Sequence, residues 1–312
     1  LYIDSLLPNQ NYSFQIISFY NPEEGIKSNK VNATTLDTTS HNFTWQTFEF
    51  GQHSSSELSN ISVVDENNIW TVGRIYMNDS LGIPDLIIYN SLYWDGTEWS
   101  VKRIPYNYQG TDFISQIQSV FAFTPNDIWF CGNGVIQWDG INYVAITIPT
   151  NVWGPYQMNK IWGSRSNELY IVGSSGSLAR KKNSIWQKIV SGTGLTLTDI
   201  SGNDKGDVYA CGLNIAQGKG IVLNTSNGFS WQTLAEGDII PPTQIFDPKL
   251  YGSIASVWAD QDNTLYAAGN LVYRYKFSKW NYLKSLPENF IGGNPNTYYR
   301  GFINKVRGKA SN

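Results

Sequence analysis

Histidine is nearly missing from this chain: His41 and His53 are the only two. Neither sits in a metal-ligand spacing such as His-x-x-x-His, and both lie near the N-terminus. The rest of the chain therefore lacks a base for a Ser-His-Asp arrangement. Charge is sparse as well. Charged residues make up 15%, and the net charge is −3. Such a surface has no basic footprint to draw phosphate backbones, so nucleic acid is not an expected partner. No apolar run approaches the roughly 18 residues of a membrane-spanning helix. The two cysteines, Cys131 and Cys211, each precede the glycine of a repeated motif two repeats apart. That is too far for the ~7 Å Cα limit of a disulfide, so both are read as buried free thiols. Gly-x-Ser-x-Gly, the phosphate loop and the dinucleotide fingerprint are all lacking, and neither cofactor nor metal is expected.

Aromatic residues, glycine and β-branched residues are what the chain has in quantity. Aromatics reach 14%, with 12 Trp and 19 Tyr, beside 28 Gly. This reads as short strands joined by tight turns. One phrase recurs, apolar-aromatic-any-small-Gly: Ile69-Trp70-Thr71-Val72-Gly73, Ile128-Trp129-Phe130-Cys131-Gly132, Leu169-Tyr170-Ile171-Val172-Gly173, Val208-Tyr209-Ala210-Cys211-Gly212 and Leu265-Tyr266-Ala267-Ala268-Gly269. The glycines are 59, 41, 39 and 57 residues apart. The shorter spacings match a four-stranded propeller blade, and the longer ones carry insertions near 76–90 and 236–252.

Aligned on that glycine, further columns agree. Twelve residues before it stand Ile61, Val120, Ile161, Ile200 and Val257, and ten before it the smaller Val63, Ala122, Gly163, Gly202 and Ala259. This period-two alternation marks a strand with small side chains facing a narrow axis. Six before it, Asn67, Asn126, Asn167, Gly206 and Asn263 are expected to turn the chain at positive φ. A closing aromatic (Trp45, Trp99, Tyr143, Trp186, Trp231, Trp280) opens the outer strand, behind turns such as Trp94-Asp95-Gly96 and Trp138-Asp139-Gly140. The expected fold is an all-β propeller of four-stranded blades. Five blades are present with the start of a sixth, because Asn304–Asn312 repeats the pattern of Asn159–Asn167. A closed ring of six to eight blades is expected of the parent protein.

The N-terminal Leu6-Leu7-Pro8-Asn9-Gln10-Asn11-Tyr12-Ser13-Phe14-Gln15-Ile16 is similar to the end of a fibronectin type III domain, with Tyr12 at that family's tyrosine corner. The expected organisation is residues 1–36 as the C-terminal part of such a domain, 37–43 as linker, and 44–312 as an incomplete propeller. The whole resembles propeller regions of large secreted or surface bacterial multidomain proteins. The resemblance implies an extracellular or cell-surface setting and a modular role.

Candidate chemistry is thin. Asp204-Lys205-Gly206-Asp207 and Asp260-Gln261-Asp262-Asn263 have the oxygen density of calcium loops, but both occupy the repeat's turn, where Asp and Asn serve geometry. Asn224–Trp231 is similar to a degenerate Asp-box of sialidase-like propellers, a structural turn even in active enzymes. Glycoside hydrolysis needs two facing carboxylates, and the innermost strands offer only Asp199. A binding site is the better reading. Thirteen residues before each glycine stand Asn60, Ser119, Lys160, Asp199 and Ser256, with Lys305 equivalent. Eleven before it stand Ser62, Phe121, Trp162, Ser201 and Trp258, with Arg307 equivalent. Of these, Asn60, Ser119, Lys160, Asp199, Ser256, Phe121, Trp162 and Trp258 are expected to ring one mouth of the central channel and bind a glycan or an extracellular protein. For the aromatics the plainer alternative is that they fill space between adjacent blades. The overall expectation is a non-catalytic interaction or scaffold module, with a propeller glycoside hydrolase as the alternative.

Overall fold

A computed structural model describes residues 6–7, 9–20, 23–35, 46–165, 168–239, 249–260, 262–283 and 303–308. Trp45, His41, Asn167 and residues 309–312, singled out above, lie outside them. The chain divides into two compact units, Leu1–Glu49 and Phe50–Asn312. In the first, Asn11–Phe14 pairs antiparallel with Val31–Thr34, and Ile17–Tyr20 with Glu23–Lys27. The Leu7 N–H donates to the Tyr12 hydroxyl at 2.8 Å.

The second unit is a β-propeller. Five antiparallel four-stranded sheets follow one another among the described residues, each with its strands in chain order. Their innermost strands are Glu57–Asp65, Ser119–Thr124, Met158–Arg165, Thr196–Gly202 and Ile254–Ala259. The motif strands come second: Asn68–Ile75, Asp127–Cys131, Glu168–Gly173, Val208–Asn214 and Leu265–Gly269.

In the second, third and fourth blades the motif strand is apolar on both faces because both faces are covered by neighbouring blades. In the third blade Leu169 and Ile171 pack toward the second blade with Trp129 and Cys131. Tyr170 and Val172 pack the other way, with Leu197, Ile200 and Val208 of the fourth. The core is thus a series of layers between successive blades, and Cys131 and Cys211 lie in them as free, buried thiols.

The motif glycine has a steric cause. A Cβ on Gly212 would stand 2.7 Å from the carbonyl oxygen of Thr196, and one on Gly132 would stand 2.8 Å from that of Gln116. In the other blades Gly73, Gly173 and Gly269 face the carbonyls of Glu57, Gln157 and Ser253 in the same way. In all five blades the carbonyl sixteen residues upstream, where the innermost strand opens, leaves no room for a side chain.

The turn column differs from expectation. Gly206 and Asn263 do adopt positive φ (+93° and +67°), but Asn67 and Asn126 do not. Their side chains instead pack against Gly96 and Gly140, tying the first turn of the blade to its Asp-Gly turn. There the Asn side chain makes a contact, and its backbone does not use positive φ.

Candidate functional site

The innermost strands stand side by side, and hydrogen bonds from one blade to the next hold them there. Asn60 Oδ1 accepts from the Val120 N–H at 3.2 Å, and Ser119 Oγ from the Ile161 N–H at 3.3 Å. Asp199 Oδ2 accepts from the Val257 N–H at 3.2 Å, and Ser256 Oγ from the Val306 N–H at 3.1 Å. Asparagine, serine and aspartate thus play the same part, each offering an oxygen to the backbone of the following blade. Lys160 has no acceptor and breaks the series. Its ammonium instead donates to Asn60 Oδ1 at 2.9 Å, across from the third blade to the first.

The neighbouring column obeys a second rule. Where it holds serine, the next blade presents alanine: Ser62 Oγ accepts from the Ala122 N–H at 3.0 Å, and Ser201 Oγ from the Ala259 N–H at 3.2 Å. Where it holds tryptophan, the next blade presents glycine, with Trp162 lying over Gly202 and Trp258 over Gly308. At the remaining boundary Phe123, which packs edge-on to Phe121 at 4.8 Å between centroids, covers Gly163.

Along these strands runs a cavity of about 750 Å³. Of the eight expected site residues, Asn60, Phe121, Lys160, Trp162 and Trp258 line it, together with Lys305 and Arg307. Ser119, Asp199 and Ser256 do not. All three are fully buried behind the wall, engaged in the blade-to-blade bonds.

A charge network forms one side of the cavity. Arg307 grips Asp199 with both terminal nitrogens, at 2.8 and 2.9 Å, and Lys305 Nζ lies 3.7 Å from the same carboxylate. Ser256 Oγ donates to Asp199 Oδ2 at 2.5 Å. Burial alone would raise the Asp199 carboxyl. Lys305, Arg307 and Lys160 outweigh it and hold the group well below the usual carboxylate range. A carboxylate so held is a poor proton donor or acceptor near neutrality.

Lys160 is 5% exposed, and burial pushes its ammonium down to about 7. Asp199 opposes that fall, while Arg307 and Lys305 add to it.

A second cavity, of about 1160 Å³, lies where the innermost strands of the second and third blades begin. Arg74, Asp112, Phe113, Trp153 and Tyr156 are among its walls. It is larger, but insertions and loops of the first three blades build it, whereas the axial cavity draws on every blade.

The other motifs resolve as turns. Asn227 Oδ1 accepts from the Phe229 and Ser230 N–H groups, both at 2.9 Å, within the Asp-box-like loop. Asn203 Oδ1 accepts from the Lys205 and Asp207 N–H groups, and Asp262 pairs with Lys276 at 2.6 Å. His53 Nε2 lies 2.8 Å from the Met77 carbonyl oxygen.

No family model matches the sequence, and no curated protein matches it. Among solved structures, the chain is similar to the extracellular domain of a hybrid two-component system from B. thetaiotaomicron. The identity is 14% and the TM-score 0.52, over 84% of this chain and 32% of that one. It is also similar to a xyloglucanase of glycoside hydrolase family 74 from Xanthomonas campestris, at 15% identity and TM-score 0.51, over 73% of this chain and 38% of that one. The chain thus spans about a third of either protein's length. Similar structures therefore include an extracellular bacterial domain and a glycoside hydrolase, and at these identities what is shared is the fold.

Proposed function

We propose that this chain is a non-catalytic interaction module of an extracellular or cell-surface protein, binding a glycan or an extracellular protein in its axial cavity. The observation that carries this reading is the cavity's lining. Trp162, Trp258 and Phe121 supply flat apolar surface, and Asn60, Lys160 and Lys305 supply hydrogen-bonding groups converging on the same space. Apolar walls with a few directed polar groups are the ordinary make-up of a ligand site, and about 750 Å³ falls within the usual size range of about 300–1,000 Å³. Among the described residues no carboxylate lines the cavity, and Asp199, behind its wall, is committed to Arg307, which favours binding over hydrolysis.

The surface setting draws support from the extracellular bacterial domain among the similar structures and from the sequence resemblance to secreted multidomain proteins. For residues 1–36 we propose the tail of a fibronectin type III-like domain, joined through 37–43 to a propeller running over 44–312. The Leu7-to-Tyr12 hydrogen bond supports it, because a tyrosine corner is made by a hydroxyl bonding to backbone a few residues upstream.

Screening the 312-residue chain and its Trp258→Ala variant on a glycan array tests the reading. Specific binding that weakens in the variant is expected. Binding that the variant retains in full would remove the axial cavity as the site. A folded chain that binds no glycan and captures no extracellular protein would overturn the function.

A further inference from the structure

The axial cavity carries an excess of positive charge that no residue on its walls answers. Among the described residues, Lys160, Lys305 and Arg307 line it, and neither aspartate nor glutamate does. Only Asp199 among the described residues, behind the wall, offsets them, and its oxygens are taken up mainly by Arg307 and Ser256. Three cations against one carboxylate leave a surplus in a space partly closed to water, where a fixed charge acts over a longer range than at an open surface.

The surplus is concentrated on two ammonium groups. Lys160 Nζ makes one hydrogen bond, to Asn60, and so has two protons to offer. Lys305 Nζ is 3.7 Å from the Asp199 carboxylate, beyond a good hydrogen bond, and its side chain is 39% exposed. Arg307, by contrast, is nearly saturated by Asp199, Ser256 and the Val257 and Val306 carbonyls. Lys160 and Lys305 are equivalents in the repeat, three blades apart. Each stands one residue before the β-branched position of an innermost strand or its counterpart.

Resting on the reading of the cavity as the ligand site, we propose that its ligand is an anionic oligosaccharide. A sugar carboxylate would sit between Lys160 and Lys305, with the ring faces packed on Trp162 and Trp258. Both chemistries are needed together: the tryptophans provide broad apolar surface for a sugar ring, and the two ammonium groups provide the counter-charge. A neutral sugar would satisfy the tryptophans and leave the buried Lys160 ammonium under-solvated.

The proposal has a pH signature. Facing Lys160 are Asp199, Arg307, Lys305 and Cys131. Asp199 stays ionised, Arg307 stays cationic, and burial pushes the Cys131 thiol up to about 12. Of Lys160, Asp199, Arg307 and Cys131, Lys160 is thus the group that changes charge between pH 6 and 9. A bound carboxylate favours its protonated form, so binding takes up a proton and affinity falls as pH rises.

Isothermal titration of the full chain with trigalacturonate and with cellotriose, at pH 6 and pH 9, tests this. Trigalacturonate is expected to bind at least about tenfold more tightly than cellotriose at pH 6, and to lose about tenfold by pH 9. Lys160→Met should abolish the pH dependence. Lys305→Gln, on a partly exposed side chain, should weaken trigalacturonate by a larger factor than cellotriose. Equal binding of the two sugars, or a preference for cellotriose, would overturn the anionic ligand while the site reading stands. Binding of neither would overturn the proposal, and the glycan array then decides whether the site reading falls with it.

Discussion

The indole of Trp162 in the third blade lies across Gly202 of the fourth, so closely that a Cβ on Gly202 would stand 2.5 Å from Cη2 of the ring. One blade further on, Ser201 meets Ala259 through a 3.2 Å hydrogen bond from the alanine N–H. Tryptophan with glycine and serine with alanine are two solutions to one contact. The choice made in one blade constrains the residue in the next.

That coupling predicts the outcome of a swap. Gly202→Ala alone should cost ~1–3 kcal/mol through overpacking against the indole. In the Trp162→Ser/Gly202→Ala double variant the clash with the indole is gone, leaving only the Asp207 carbonyl oxygen 2.7 Å from the new Cβ, and the serine can accept from the residue 202 N–H as Ser201 does from Ala259. Urea denaturation of the two single variants and the double should give a total smaller than their sum by about 1 kcal/mol or more. Strict additivity would show the two positions to be independent.

The motif glycine makes a harsher prediction, because its neighbour is backbone. Gly212→Ala brings a methyl within 2.7 Å of the Thr196 carbonyl, which cannot turn aside. The loss should lie at the upper end of ~1–3 kcal/mol or beyond it. Gly218→Ala is the contrast. Nothing lies within 4 Å of a Cβ there, so its cost comes only from its φ of +61°. Denaturation midpoints of the two variants compare a steric effect with a conformational one.

Much of this architecture is legible in the sequence, and the limits have physical causes. The glycine and β-branched columns repeat because each blade meets the same steric demand, so identity alone reveals them. The column holding Asn60, Ser119, Asp199 and Ser256 looks diverse, and diversity invites the reading of a variable ligand-contacting ring. The shared property is an oxygen positioned for the next blade's backbone, a relation across about 40–60 residues that no single column displays. Lys160 stands out only once that acceptor role is known. The tryptophan–glycine pairs are present in two adjacent columns but offset by one blade. The Asn67 and Asn126 turns show the opposite error: residues kept for their side chains look, in sequence, like residues kept for their φ.

Asp199 sets an acid-side prediction. Its folded-state carboxyl lies below its unfolded value, so its contribution to stability is present above about pH 4 and is lost as pH falls toward the folded value. Asp199→Asn should therefore lower stability at pH 7 by roughly 2–3 kcal/mol. This is below the 3–5 kcal/mol of a fully buried pair, since the Arg307 and Lys305 side chains are 41% and 39% exposed and can regain water. Urea melts from pH 2.5 to 7 should show a shallower pH dependence in the variant.

Lys160 sets a second, of the same sign but in a higher pH window. Its folded ammonium titrates near 7, below the ~10.4 of an unfolded lysine. Above pH 7 the unfolded chain holds the extra proton, so stability should rise by about 1–2 kcal/mol between pH 7 and 8.5. Above that range the buried thiols, whose folded-state values are raised, work in the other direction. Lys160→Met should remove the rise, and an unchanged profile would place the titration elsewhere.

Central to all of this is that ligand enters the axial cavity and not the larger one beside it, and tryptophan indoles report on both. Trp162 and Trp258 line the first, and Trp153 lines the second. The measurement is an NMR titration of the indole N–H resonances, assigned by single Trp→Phe variants, with the tightest-binding glycan from the array. Trp162 and Trp258 are predicted to shift while Trp153 stays in place. A shift of Trp153 with Trp162 and Trp258 unmoved would contradict the axial site.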